Sequence, residues 1–145
     1  MTFVAEIATR TKAQVPALVS VDQVAELAAL VQSGALPQQF PASYVIPLGF
    51  DARAGEVASG MFTQMLEEVV GVVLIAQAIG DPKGLRALAT IDTLITAVIA
   101  ALVGWSPTGA IGAVRAVRGR LMSMDNGVVF YQLDFAIPQQ LRITR

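Results

Sequence analysis

The sequence contains neither cysteine nor histidine among its 145 residues. The first absence excludes disulfide bonds and thiolate chemistry, and the second removes the commonest general base and metal ligand. No cofactor is therefore expected, and any catalysis would depend on carboxylates such as Glu67, Glu68 and the acids from Asp51 to Glu56. Neighbouring Glu67 and Glu68 would point to opposite faces of an extended segment, which argues against a cooperating pair.

Charged residues are also scarce. They make up 14% of the chain, whereas soluble proteins average about 25%, and 54% of residues are hydrophobic with a mean hydropathy of +0.62. The net charge of −1 lacks the basic excess of a dedicated nucleic-acid binder. Membrane insertion, solubility through neutral residues, or a permanent partner would each explain so few charges.

Long hydrophobic runs are missing as well. The longest, LITAVIAALVGW at 94–105, is well short of the roughly 20 residues that span a bilayer, so it predicts a buried helix. Glu6, Arg10 and Lys12 interrupt the N-terminal region where a secretion signal would need an apolar stretch. We therefore expect no membrane partner and a cytoplasmic place of synthesis and assembly.

The apolar spacing and the turn signals along the chain predict an α+β domain over residues 1–145. Apolar spacing predicts a helix over 2–15, and Ser20 to Gln23 has the spacing of a capping box for a second helix ending at Gly34. A short strand after Pro41, a long hairpin loop from Phe50 to Gly60 and a β-rich strand from Glu68 to Ala78 follow.

The second half of the chain predicts the main helix and a hairpin. Asp81-Pro82 is typical of a helix start, and an apolar stripe continues to Val103. Strands over 114–124 and 128–137 complete the order α, α, β, β, α, β, β. This order favours a two-layer sandwich, in which an antiparallel sheet of about four strands carries its helices on one face.

The last hairpin raises the question of what covers the sheet's other face. Asp125-Asn126-Gly127 predicts a tight turn, and the next strand presents one apolar face by period-2 alternation. Val128 and Phe130 begin the opposite face in the same apolar way. Together with the low charge, they favour self-assembly through that face, although half-burial beside the turn would also explain them.

Arg115, Arg118 and Arg120 form the only basic cluster. In a regular strand Arg118 and Arg120 share a face, while Arg115 faces away. Such charges protect a sheet edge from unwanted pairing, or they contact acidic groups across a subunit interface, or they touch DNA weakly.

Several stretches together resemble the tail terminator proteins of long-tailed bacteriophages. They run in order over nearly the whole chain: KAQVPALVSV at 12–21, AELAAL, PQQFPASYVIPLG at 37–49, GVVLIAQ, LVGWSP at 102–107 and GRLMSMDNGVVFYQLDF. The resemblance implies a virion component without enzyme activity. It also implies a homohexameric ring that stops polymerisation of the tail tube and joins it to the neck, with tube protein, neck proteins and transiently passing DNA as partners.

Under this resemblance, two polar glycine-bearing segments become candidates for contact with tube or neck, through Asp51, Arg53, Glu56, Asp125 and Asn126. The candidates for contact between subunits are Arg115, Arg118, Arg120, Val128 and Phe130. Two other functions remain open at this stage. One is a head-tail completion ring of the neck, and the other is a small carboxylate-based enzyme or ligand-binding domain.

Overall fold

Within the part of the chain that the structure describes, helices and strands follow one another in the order α, β, β, β, β, α, β, β. A computed structural model describes residues 3–25, 37, 39–77, 80, 83–125 and 127–145. Its elements are α1 (Val4–Gln14), β1 (Ser20–Gln23), β2 (Ala42–Ala52), β3 (Glu56–Ala58), β4 (Met61–Gln77), α2 (Leu85–Leu102), β5 (Arg115–Asp125) and β6 (Val128–Thr144).

The sheet is mixed and, within the described ranges, has six strands. Its order is β1-β2-β4-β6-β5, and β3 pairs with the start of β4. All neighbours are antiparallel except β1 and β2, which are parallel. The predicted α+β class is therefore confirmed, but the purely antiparallel sheet of about four strands and the predicted element order were wrong.

Both described helices pack on one face of the sheet, called here the helix face. The residues that α1 buries are Val4, Ile7, Ala8 and Thr11, and α2 buries Ala87, Ile91, Leu94, Val98, Ala101 and Leu102. These spacings of three and four residues keep each stripe on one side of its helix. The stripes form the main core with alternate sheet residues such as Val72, Leu133 and Phe135.

Helix α2 begins at Leu85 after Gly84 and ends before Gly104. The predicted start at Asp81-Pro82 lies outside the described residues. By length and mean hydropathy (1.8) α2 alone among the described helices could cross a membrane, a test that core helices of soluble proteins also pass. Its inner stripe is occupied by contacts with the sheet, as expected for a buried helix.

The predicted second helix was wrong at its start. Ser20 to Gln23 is strand β1, which pairs with residues 42–45 of β2. A capping box is a local signal, and here hydrogen bonds to a distant segment override it: the Val19 N–H donates to the Pro41 carbonyl and the Val24 N–H to the Val45 carbonyl. Residues 26–34 of the predicted helix lie outside the described ranges.

The predicted long loop from Phe50 to Gly60 is mostly strand. An extra residue at Leu48 lets β2 continue past Pro47 to Ala52, and β3 then pairs with β4. Ser59 and Gly60 both have positive φ (51° and 75°), which the two-residue turn between β3 and β4 requires. Only residues 53–55 remain as a loop, called here the 53–55 loop.

The other predicted strands are confirmed; β2, β4 and β6 are longer than predicted, and β5 is shifted by one residue from the predicted 114–124. Strand β4 includes the predicted stretch from Glu68 through Gln77 and begins earlier, at Met61, whereas Ala78 lies outside the described residues. β5 and β6 form the predicted hairpin, with Asp125 opposite Val128 and Gly127 at φ 76°. Asn126 of the predicted turn lies outside the described residues.

The face opposite the helices, called here the second face, has two different halves. One half carries a smaller apolar cluster of Tyr44, Ile46, Val73 and Ile75, all buried. Val24 and Phe40 from the same chain pack on it, beside Val128 and Phe130, which are half-buried. Half-burial is the alternative that the sequence left open for these two residues, and their use as subunit contacts stays a prediction.

Arg115 does not face away from Arg118 and Arg120, so that prediction was wrong. The pairing of β5 with β6 shifts at Val117, an extra residue on the β5 side. Arg115 therefore stands opposite Ala136 and Arg118 opposite Asp134, two β6 residues that share a face. The bulge brings all three arginines to the second face.

Candidate functional site

The other half of the second face carries charged side chains from three strands. Glu67 comes from β4, Asp134 from β6 and the arginines from β5. Strand pairing puts Arg118 directly opposite Asp134, with Glu67 on the same face of the sheet. Opposite charges directly across neighbouring strands stabilise the pairing and fix these side chains in place.

Glu67 binds two arginines from distant parts of the chain. Arg115 Nη2 donates a hydrogen bond to one carboxylate oxygen, and Arg53 Nη2 lies 3.4 Å from the other. The hydrogen bond from Arg115 is the main cause that lowers the pKa of Glu67, and the charges of both arginines add to it. Glu67 thus joins the 53–55 loop to the edge strand β5.

Asp134 is held from two sides, and it is only 3% exposed. Gln132 Nε2 donates to Oδ1 at 2.7 Å, while Arg118 donates to Oδ2 from Nη2 at 3.2 Å and from Nε at 3.3 Å. A buried carboxylate requires such partners, because leaving one unpaired costs several kcal/mol. Asp134 therefore fixes the Nε and Nη2 edge of the Arg118 guanidinium, although the Arg118 side chain as a whole is 60% exposed.

A groove of about 340 Å³ lies over these residues. Leu48, Phe50 and Asp51 from β2 and Arg118 and Arg120 from β5 line it. Val69, Gln132 and Asp134 from the two strands between them complete the lining. The β2 side of the groove is therefore apolar with one carboxylate, and the β5 side carries two guanidinium groups.

The structure separates the carboxylates that the sequence offered for catalysis. Glu67 and Glu68 point to opposite faces, as predicted, so they do not form a cooperating pair. Among the described residues, no group of three or more Asp and Glu side chains could hold a metal ion. Of the two acids that line the groove, Asp134 is paired with Arg118 and Gln132, whereas Asp51 forms no ion pair within the described residues.

Glu68 lies on the helix face and is buried. Its carboxylate accepts a hydrogen bond from the backbone N–H of Phe3, the residue at the N-cap of α1. A carboxylate is favoured at a helix N-terminus, where backbone N–H groups lack partners. Burial nevertheless dominates and raises the pKa of Glu68, and the bond from Phe3 offsets only part of this.

Replacing Glu68 by glutamine should make the pH profile of stability flatter. Because its folded pKa is raised, the wild-type subunit binds more protons when folded, so its stability falls as pH rises through the ordinary glutamate range to the raised value. Glutamine keeps an acceptor for the Phe3 N–H without the buried charge. Urea unfolding from pH 4 to pH 8 should show that the free energy of unfolding of Glu68→Gln rises relative to that of the wild type as pH increases.

Glu67→Gln is a control, because its effect on stability should depend on pH in the opposite direction. The folded pKa of Glu67 is lowered, so its contribution is present above the ordinary glutamate pKa and is lost as pH falls. Glu67→Gln should therefore lose stability relative to wild type at neutral pH and approach it in acid. Parallel profiles for wild type and Glu68→Gln would contradict the assignment of Glu68.

The structure separates the sequence-predicted contact residues into groups. Arg53 and Glu56 are exposed, in the 53–55 loop and at the start of β3, whereas Asp51, an exposed residue of β2, lines the same groove as Arg118 and Arg120. Arg115, Arg118 and Arg120 come together on the second face. Asp125 ends β5, far from Arg53 along the sheet, and Asn126 lies outside the described residues.

Sequence reasoning missed most of the groove. Leu48, Phe50, Gln132 and Asp134 were not among its candidates, and Glu67 was considered only for catalysis. One signal was available: Asp134 is a lone acid between Leu133 and Phe135 in an apolar strand, a position that requires a partner. No local pattern in the sequence predicts that this partner is Arg118, because the pairing depends on the register between two strands.

Comparison with known proteins covers nearly the whole chain. Residues 2–145 match the phage tail terminator protein family. The chain belongs to this family. Membership in the tail terminator family confirms the resemblance noted in the motifs, and it supports a structural role in the tail of a phage-like virion.

A solved structure shows the same fold. It is a chain titled "Virion of native gene transfer agent (GTA) particle", with a TM-score of 0.52 and 17% sequence identity, covering 97% of this chain and 100% of that chain. At this identity the likeness concerns the fold of this tail terminator family member. No curated protein sequence matches the chain.

Proposed function

We propose that the chain forms a closed ring of six copies that caps the phage tail tube. The ring ends polymerisation of the tube and provides the tail side of the joint to the head, and the chain acts as a structural protein rather than an enzyme. The match of residues 2–145 to the tail terminator family carries this proposal. Assembly takes place in the host cytoplasm, and the finished ring belongs to the virion.

Termination has a simple physical requirement. Tube rings stack through contacts between unlike surfaces, and such contacts continue indefinitely unless the next unit lacks one of them. A terminator must therefore present a tube-like surface on one side and a different surface on the other. Its subunit needs two distinct contact regions, well separated along the ring axis.

Two polar candidate segments are far enough apart in the subunit to serve as these regions. The turn at 59–60 precedes β4, and Gly127 lies beside its other end, where Val128 pairs with Gln77; the 17 residues of β4 span about 50 Å at 3.3 Å per residue. We assign the 53–55 loop with Glu56 to the tube side. Asp125 and Gly127 then belong to the neck side.

The charge distribution fits a conduit for DNA. Arg115 and Arg118 are neutralised by Glu67 and Asp134, so β5 presents less net positive charge than its sequence suggests. Strong phosphate binding would slow the passage of DNA, since affinity grows with the number of phosphates neutralised. A lumen in which most arginines are neutralised would therefore bind DNA only weakly and let it pass.

The test combines Arg53→Ala with Glu56→Ala in a phage that depends on the variant. Both side chains are exposed, and the ion pair of Arg53 with Glu67 is a surface pair, so the stability should change by no more than about 0.5 kcal/mol. Tails should nevertheless be of uncontrolled length or fail to join heads in electron micrographs, as in particles that lack the chain. End views of wild-type tails should show six-fold rings.

Lys12→Ala with Asp92→Ala is the matched control, because it also removes one exposed cation and one exposed anion. It should leave both stability and tails normal. Normal tail length and infectivity with the Arg53/Glu56 variant would remove this region from the mechanism. Normal tails in the complete absence of the chain would overturn the proposed function.

A further inference from the structure

The two edges of the sheet carry complementary surfaces. The first edge is β5, which has no neighbour on its outer side among the described strands. Apolar side chains stand exposed along it at Val117, Leu121, Met122 and Met124. Bulges at Val117 and Met122 interrupt the strand, so a partner would bind mainly through side chains rather than through a long backbone ladder.

One arginine on this edge is available for a partner. Arg115 and Arg118 already bind Glu67 and Asp134. Arg120 is exposed and has no ion pair or side-chain hydrogen bond within the described part of the chain. The β5 edge, defined by Val117 to Met124, is therefore apolar with one unpaired cation.

The opposite edge is apolar with unpaired anions. Strand β1 covers only residues 42–45 of β2, so the later part of β2 has no outer neighbour among the described strands. Leu48 and Phe50 are exposed there, Phe50 by 55%. Asp22 and Asp51 are exposed as well, and neither forms an ion pair within the described residues.

We infer that the β5 edge of one copy packs on the β2 edge of the next copy, with Arg120 facing Asp51. The inference rests on the proposed ring and names its subunit contact. Each edge matches the other in apolar character and opposes it in charge, whereas two like edges would bring equal charges together. Unlike edges give a head-to-tail contact, which is the kind that closes into a ring.

The faces of the sheet agree with this pairing. Arg120 stands opposite Gln132 and Asp51 opposite Glu67, so both belong to the second face. When one sheet continues into the next with the second faces aligned, these two side chains meet on the same side. Phe50 stands opposite Glu68 and Leu121 opposite Tyr131, two residues of the helix face, so these apolar residues lie on the other side of the same contact. Their removal from water there is the main source of affinity.

The chain's lack of cysteine permits a direct test by cross-linking. Asp51→Cys and Arg120→Cys are made separately, co-assembled into tails in equal amounts and treated with a short bismaleimide, because the Cβ atoms of an ion pair are too far apart for a disulfide. The mixture should give cross-linked dimers, and each variant alone should give none. A mixture of Asp92→Cys with Arg120→Cys measures random collision, since Asp92 lies on the outer side of α2.

Charge reversal gives a second, independent readout. Arg120→Glu alone and Asp51→Arg alone should each reduce incorporation into tails about tenfold or more, the effect of one unfavourable charge pair. Mixing the two variants should restore incorporation, because each contact then joins unlike charges in an alternating ring. An interaction within a single chain, where both residues line the same groove, would be restored in the double variant but not in the mixture.

The possible results distinguish a failure of the proposed subunit contact from a failure of the proposed function. Rings at tail ends without the 51–120 cross-link, or with a cross-link in Arg120→Cys alone, would overturn the head-to-tail contact and leave the proposed function intact. Absence of the chain from tail ends would overturn both.

Discussion

Val98→Asp is expected to unfold the subunit. Val98 lies in the middle of α2 with none of its surface exposed, and it faces the sheet in the main core. A carboxylate there has no cationic partner, and burying one without a partner costs several kcal/mol against a total stability of roughly 5 to 15 kcal/mol. Circular dichroism should show the loss of cooperative melting at neutral pH.

Thr96→Asp is the matched control on the same helix. Thr96 is exposed, and its hydroxyl bonds only the Asp92 carbonyl of its own helix. The same new charge at this position should change the free energy of unfolding by about 0.5 kcal/mol at most. A cooperative, wild-type melt for Val98→Asp would show that α2 does not pack on the sheet through this stripe.

Phe135→Ala should cost about 3 to 5 kcal/mol of stability, the range for emptying a large aromatic site in a core. Phe135 is a fully buried residue of β6, on the helix face next to β4. The cavity would lie in the main core, where the sheet and helices meet. Urea unfolding followed by tryptophan fluorescence measures the loss, because Trp105 packs against the same core.

Phe50→Ala removes the same side chain from the sheet edge. Because Phe50 is mostly exposed, the melt should remain close to wild type. Incorporation into tails should fall, since Phe50 belongs to the proposed subunit contact. Equal destabilisation by Phe50→Ala and Phe135→Ala would contradict both placements.

Local patterns in the sequence predicted the elements that depend on near neighbours. The Asn126-Gly127 dipeptide predicted the last hairpin because few other residues tolerate the required φ, and alternation from Val129 to Ile137 predicted which β6 residues face the helices. The apolar period predicted α2 as a core helix. These signals act within about ten residues and agree with the final packing.

Features that depend on distant pairing were not predictable. Ser20 to Gln23 becomes a strand only because residues 42–45 lie beside it, and its capping-box spacing pointed to a helix. The bulge at Val117 has no residue signature, yet it decides that Arg115 meets Glu67. The groove could not be predicted for the same reason, since its walls come from strands that are distant in sequence.

The continuous pairing of β4 with β6 has a mechanical consequence. All 17 residues of β4, from Met61 to Gln77, pair with β6, and the hydrogen bonds run across the strands rather than along them. If a tail pulls on one end of the subunit and a head on the other, the force runs along β4. The bonds are then loaded in shear and must break together, so the subunit resists tension far better than a sheet peeled open from its edge.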